Sequence, residues 1–431
     1  MPDTKRRFLV YLFLLVLSGS AFSQYNTYSP YTRFGLGELT MQGFGQNLAM
    51  GGTGLALRNN DRLNYLNPAS YASGDSMSVL FDFGMNTTSD FYSTVDGNKS
   101  FFNANFHHVA FSTPVTKYFG LAAGIVPYSS IGYKIKQEYN SMPNGVPVDY
   151  YYTGDGGIMN FFVGGSFLLF KRISIGASMN YLMANISRQK TIDFPVNPYY
   201  ASTTSEQNIV FKKPVYSLGI QYKETFKDKF FFSIGGRYDL ESSINTGIYN
   251  KTYSSFTGNS GALNDSVSIS PTTVIVQDTG YSNLIIPMNR GIGLAFGIPG
   301  KLTITGDYSS QDWSNNISGI GDSLTSSQSL RVGLELIPNR NDLRSYGKHI
   351  AYRVGGYYSD YYLRVNGYQL KDYGITFGVG LPLKGTRSTF NVAFTLGTRG
   401  TTENNLIKEN YGIITFNVTL HDLWFIKRRF E

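Results

Sequence analysis

Apolar and polar residues alternate along most of this chain with a period of two, which is the signature of strands with two different faces. In the stretch 388–397, Phe390, Val392, Phe394 and Leu396 share one face, while Thr389, Asn391, Ala393 and Thr395 share the other. Similarly, Leu330, Val332, Leu334 and Leu336 lie opposite Arg331 and Glu335. The pattern predicts about fourteen strands, at 77–86, 101–114, 118–134, 156–170, 172–188, 208–222, 229–248, 283–297, 301–311, 328–338, 348–358, 373–383, 388–399 and 411–421. Short breaks at 114–117, 171, 226–229, 299–300 and 383–387 read as tight turns. Longer polar breaks at 90–99, 136–155, 192–207, 249–282, 313–327, 359–372 and 400–410 alternate with them. An even number of strands with alternating turn lengths predicts an all-β fold, a transmembrane antiparallel barrel with long loops outside and both termini in the periplasm.

A lipid-facing charge near the membrane midplane costs about 2–4 kcal/mol, so the charged face must point inward. Arg237, Asp307, Arg331, Glu335 and Arg353 are therefore expected in the lumen, as a bracing polar network rather than a catalytic group. At the chain end, Ile414, Phe416, Val418 and Leu420 form one more apolar face, and Trp424, Phe425 and Phe430 suit interface anchoring and barrel closure.

Composition strengthens the barrel reading. The 431 residues include 47 glycines, 33 tyrosines and 31 phenylalanines, yet mean hydropathy is −0.17. A wall with one lipid face, aromatic belts and one polar face has that average. A soluble or secreted β-sandwich or propeller is the competing fold. Lys5, Arg6 and Arg7, the apolar run 8–17 and the small residues at 20–23 read as an export signal spanning 1–23. A short N-terminal anchor is the alternative. No later apolar run reaches the roughly 20 residues of a helical span. The formal charge is +8, and the densest basic cluster of the exported chain is Lys427, Arg428 and Arg429, better suited to a membrane interface than to nucleic acid. There is no cysteine, which excludes disulfides, thiolate metal sites and lipidation through cysteine.

Chemistry is sparse. Gly43-x-Gly45 and Gly51-Gly52-x-Gly54 lack the strand-to-helix context of a phosphate loop. The four histidines, His107, His108, His349 and His421, form no metal motif, and strict alternation places His107 and His108 on opposite faces. A luminal serine esterase using His107 or His349 is the residual enzyme reading; no cofactor or metal is implied.

The stretch 24–75 breaks the alternation and divides the chain into a signal (1–23), an N-terminal extension (24–75) and a barrel (76–431). Its AMGGTGLALRNND…LNYLNPASYA sequence, with Gly51, Gly52, Asn67, Pro68 and Ala69, resembles the N-terminal hatch of the long-chain fatty acid transport porin (FadL-like) family. The ending NVTLHDLWFIKRRFE is similar to Bacteroidota-type members, including the barrel that serves as shuttle in type IX secretion. The resemblance implies a fourteen-stranded barrel in the outer membrane of a Gram-negative bacterium, with a luminal hatch and a lateral opening at a kinked third strand. Gly124, Pro127 and Tyr128 are the matching kink candidates, since proline removes a ladder donor. The implied function is passive, hatch-gated uptake of hydrophobic small molecules such as fatty acids, with Phe34, Phe44, Leu48, Met50 and Leu55 as candidate pocket residues. The competing expectation is a structural subunit of an outer-membrane secretion or assembly complex. Expected partners are outer-membrane lipid, a hydrophobic substrate, and outer-membrane or periplasmic proteins.

Overall fold

In the computed structural model, residues 27–75, 77–94, 97–139, 147–195, 200–227, 229–255, 273–315, 324–340, 342 and 344–423 are described. The export signal and Trp424, Phe425, Lys427, Arg428, Arg429 and Phe430 lie outside these residues.

The alternating segments build a closed antiparallel barrel of 14 strands. They are β1 (Ser78–Thr94), β2 (Gly97–Pro114), β3 (Phe119–Tyr139), β4 (Val148–Leu169), β5 (Ile173–Asp193) and β6 (Ser202–Phe226). β7 (Phe230–Asp239) continues as Ser242–Ser255, and β8 (Thr273–Ile286) continues past Pro287 as Asn289–Ile298. The wall proceeds through β9 (Leu302–Asp312), β10 (Ser326–Leu336), β11 (Ala351–Val365), β12 (Tyr368–Pro382), β13 (Thr389–Arg399) and β14 (Lys408–Leu423). Closure is made by β14 against β1, in register from Lys408↔Ser93 to Leu423↔Ser78.

The outer face near the tight turns is apolar. Leu294 and Val332 remain 50% and 54% exposed there, a surface that only lipid or a partner would cover favourably. Tyr308, Tyr358 and Tyr373 point outward at its upper edge. On the inner face, Asn391, Thr395, Thr415 and Asn417 are buried.

Several strands are much longer than expected. β6 runs for 25 residues, against the 9–11 that cross a bilayer. At four of the long breaks, 90–99, 136–155, 192–207 and 249–282, the flanking described residues are wall rather than loop, because β1 to β8 continue pairing into them. Along β6 the apolar face also changes sides. Near the turn end, Leu218 and Ile220 point outward and Ser217 and Gln221 inward; beyond Pro214, Ile209 and Phe211 are buried inside while Lys212 is exposed. The upper wall thus encloses an apolar cluster containing Leu36, Ile131, Ile158, Ile186, Ile209, Ile244 and Tyr362. Apolar-in and polar-out is the arrangement of a sheet facing water.

The ladder between β2 and β3 is short. It runs only from Pro114↔Gly120 to Val109↔Ile125, whereas β3 pairs with β4 along its length. A bulge falls at Tyr128, between Pro127 and Ser129, and above it Ser129 and Ser130 pair with Leu39 and Glu38 from the N-terminal segment.

Candidate functional site

Polar side chains from many strands converge in the lumen. Residues 27–75 occupy it, touching the wall from β2 round to β14. Phe44 stacks on His108 of β2 at 3.9 Å, Ala72 N–H donates to Ser166 of β4 at 2.6 Å, and Leu48 and Ala49 pack on Ala393 of β13. A belt of inward glycines admits the segment: a Cβ at Gly176 of β5 would strike Pro68, at Gly235 of β7 Leu55, and at Gly355 of β11 Met50 and Gly51. Gly51 itself has φ +70°, a left-handed conformation. Its N–H donates to Thr376 Oγ1 at 2.8 Å. Gly52, φ +78°, donates to the Asn47 carbonyl at 2.7 Å.

Asn67, fully buried, joins the segment to two strands. Its Oδ1 accepts from Ala69 N–H at 3.0 Å, capping the 3-10 turn Pro68–Ser73. Its Nδ2 lies 2.8 Å from the Leu55 carbonyl, 3.2 Å from that of Gly236 and 3.3 Å from that of Ile220. The Ala69 carbonyl accepts from Ser174.

The five charged residues expected inside do face the lumen, but not as one network: Glu335, Asp307, Arg237 and Arg331 meet the segment at separate points, and Arg353 meets Glu335. Glu335 accepts from Arg62 Nη1 at 2.5 Å and Arg353 Nε at 2.7 Å, and Arg353 also donates to Asn391 at 2.9 Å. Asp307 Oδ2 accepts from the N–H groups of Gly54 and Leu55 at 2.6 and 2.9 Å. Arg237 bonds Asp239 at 2.7 Å and the Leu66 carbonyl at 2.9 Å; Arg331 reaches the Gly52 carbonyl at 3.5 Å. Burial opposes the charge of Arg62, yet Glu335 and Asp61 hold its guanidinium above the ordinary range. Burial raises the Asp61 carboxyl, but Arg62 and Arg340 outweigh it and leave it below its usual value.

A further anchor was invisible in the pattern of alternation. Arg399 meets Glu38 of the segment at 2.9 Å, Asp372 at 3.0 Å and Glu409 at 3.4 Å, while Ser29 donates to Glu409 at 2.5 Å.

The histidine pair requires a correction. A bulge in β2 inserts His107 opposite Gly84 and Met85, so both rings turn inward and are buried. The two Nδ1 atoms are 2.7 Å apart and His108 Nε2 lies 2.6 Å from Asp82 Oδ1. Asp82 also accepts from Asn417 and from Thr419, the latter at 2.7 Å. A histidine doublet opposite a glycine was the only available signal. Among the described residues no His, Asp and Glu group is arranged to hold a metal.

A chamber of about 960 Å³ remains above the segment. Asn86, Asn103, His107, Asn160, Asp239 and Gln311 are among its many polar lining residues. Of the five apolar pocket candidates, Leu48 and Leu55 border it. Phe34 packs on the upper apolar cluster, Phe44 on His108, and Met50 against Gly333 and Gly355. Gly124 pairs with Ala110 next to the last β2–β3 rung, and Tyr128 gives its carbonyl to Thr40 N–H at 3.0 Å.

A profile of the BamG family matches residues 5–431. No curated protein matches the sequence significantly. Among solved structures, a Pseudomonas aeruginosa FadL homologue superposes with a TM-score of 0.59 at 12% identity, covering 90% of this chain and 100% of that one. The P. putida toluene transporter TodX gives 0.57 at 13%, covering 89% and 99%. The Ralstonia pickettii toluene transporter TbuX gives 0.56 at 12%, covering 88% and 97%. At such identities the likeness establishes the shared barrel fold.

Proposed function

This chain belongs to the BamG family, and from the geometry of its lumen we propose that it is an outer-membrane barrel, permanently plugged, that serves as a structural subunit of an outer-membrane protein assembly or secretion complex. The observation that carries this reading is the anchored lumen. Residues 27–75 are held by buried ion pairs at Glu335 and Arg399, by backbone N–H groups donating to Asp307, and by Asn67 donating to the Ile220 and Gly236 carbonyls. Releasing the segment would strip several buried charges of their partners, at a cost of about 3–5 kcal/mol each. The chamber above it mixes asparagine, serine and charged groups with apolar and aromatic side chains such as Leu39, Leu48, Leu55, Phe106 and Tyr128. Tight turns would face the periplasm, and the extended upper wall would rise outside the membrane.

A second reading, a channel for hydrophobic small molecules, is supported by the β2–β3 seam and by the solved barrels of the same fold, two of which are toluene transporters. In that case the segment is a movable hatch, and the bulge at Pro127 and Tyr128 borders a lateral exit. Mild-detergent extraction separates the two. Comigration with other envelope proteins at fixed stoichiometry is expected. A strictly monomeric protein that accelerates entry of toluene or a fatty acid into reconstituted vesicles would replace the subunit reading with the channel.

A further inference from the structure

All six connections at this end of the wall carry basic side chains among the described residues: Lys117, Lys171 and Arg172, Lys227 and Lys229, Lys301, the group Arg340, Arg344 and Lys348, and Lys384 with Arg387. Ion pairs neutralise four of these, Arg172 with Glu224, Arg340 with Asp61, Lys348 with Asp342 and Arg387 with Asp75. The others have no carboxylate within ion-pairing distance among the described residues. Inside the ring of turns lies a concave mouth of about 640 Å³, lined by Arg58, Lys117, Lys171, Lys223 and Lys301 with others. Its three carboxylates, Asp61, Glu224 and Glu335, are all engaged already.

The floor of this mouth is built, not incidental. Arg58 donates to the carbonyls of Arg172 and Lys171 at 3.0 and 3.2 Å, and Lys223 donates to the Arg58 carbonyl at 3.0 Å. Two cations are thereby held side by side against backbone oxygens, which orient them without cancelling their charge. Burial pushes the Arg58 guanidinium below its ordinary value. Arg62, whose side chain is 7% exposed, borders the same mouth, and its Nε has no hydrogen-bond partner, Asp61 Oδ1 standing 3.7 Å away. Like charges gathered in a concavity raise the local concentration of anions and steer their approach.

We propose that this mouth is a docking site for an acidic polypeptide segment of a periplasmic partner, whose carboxylates engage Arg58, Lys223, Lys171 and Lys301. The choice of a polypeptide over an anionic lipid follows from position. Headgroups in the surrounding leaflet reach outward-facing turns, but Arg58 and Lys223 sit on the lumen side, where acyl chains cannot follow. The inference rests on the subunit reading, which it deepens by naming the surface and the chemistry of the partner.

Full-length protein in nanodiscs of zwitterionic lipid, titrated with fluorescein-labelled octaglutamate at low salt, tests the proposal. Saturable binding that weakens as salt is added is expected. The triple variant R58Q/K171Q/K301Q should bind roughly tenfold more weakly, and K134Q/K190Q/K251Q, which removes the same charge from the opposite end, within about twofold of the parent. Equal weakening in both variants would overturn the proposal, as would full displacement of the peptide by inorganic phosphate, or binding that appears only with anionic lipid. Octaglutamate binding at the mouth without any copurifying partner would instead sink the subunit reading, so the two failures are distinguishable.

Discussion

Asn67 illustrates how much one side chain fixes here, since its amide caps a turn and reaches carbonyls on the segment, β6 and β7. Asn67→Ala should destabilise the plug by about 1–3 kcal/mol, seen as faster hydrogen exchange across residues 54–70; unchanged exchange would remove Asn67 from this role. Glu335→Ala leaves Arg62 and Arg353 buried without their carboxylate and should lower stability in a urea titration by about 3–5 kcal/mol. Glu335→Gln, which keeps an acceptor, should lose less. Asp61 sets a pH dependence. Its carboxyl is held below the ordinary value by Arg62 and Arg340, so its contribution is present above the unfolded pKa of about 4 and disappears as pH falls through the lower folded value. Proteolysis of the segment should accelerate at strongly acidic pH, and Asp61→Asn should remove that part of the dependence. The inward direction of Arg237, Asp307, Arg331, Glu335 and Arg353 was legible in alternation, because a charge cannot face lipid. The partners that Glu335, Asp307, Arg237 and Arg331 find on the segment were not, because those lie 171 to 279 residues away along the chain.

At the scale of the element, β6 and β2 mark where pattern reading stops. From Ile209 to Gln221 in β6 the odd-numbered positions stay inside, but the apolar residues pass from even positions (Leu218, Ile220) to odd ones (Ile209, Phe211) around Pro214. The strand does not slip; its surroundings change from lipid to water. A reading tied to one face therefore ended strands early and assigned loops where the upper wall continues. In β2 a single inserted residue reversed the expected direction of one histidine, a change that alternation cannot register. The seam above Val109 and Ile125 yields its own prediction. Tyr28 stacks on Phe101 at 4.7 Å beside the unpaired edges of β2 and β3, so Tyr28→Ala should speed amide exchange at residues 98–107 relative to β12 and β13. Equal protection in parent and variant would mean that the stack does not hold the seam.

For the whole molecule, two environments meet on one wall, and arginine substitution maps the boundary. Leu294→Arg, within the exposed apolar belt, should cost about 2–4 kcal/mol of folding into vesicles, while Tyr249→Arg on the upper wall should cost roughly 0–1 kcal/mol. Similar costs at both sites would place the upper wall in lipid as well. The sequence by itself determined the all-β class, the fourteen strands, the direction of the lipid and lumen faces, and the break in pattern over residues 24–75. These are local properties, written in a period of two and in the solvation cost of each side chain. Only the tertiary structure decided that Arg62, Glu38, Gly54 and Asn67 meet Glu335, Arg399, Asp307 and the strand carbonyls, that a glycine belt makes room for them, and that turns far apart in sequence surround one basic mouth. Such contacts depend on how a closed cylinder brings distant positions to a common axis, a distance in space that no repeat along the chain encodes.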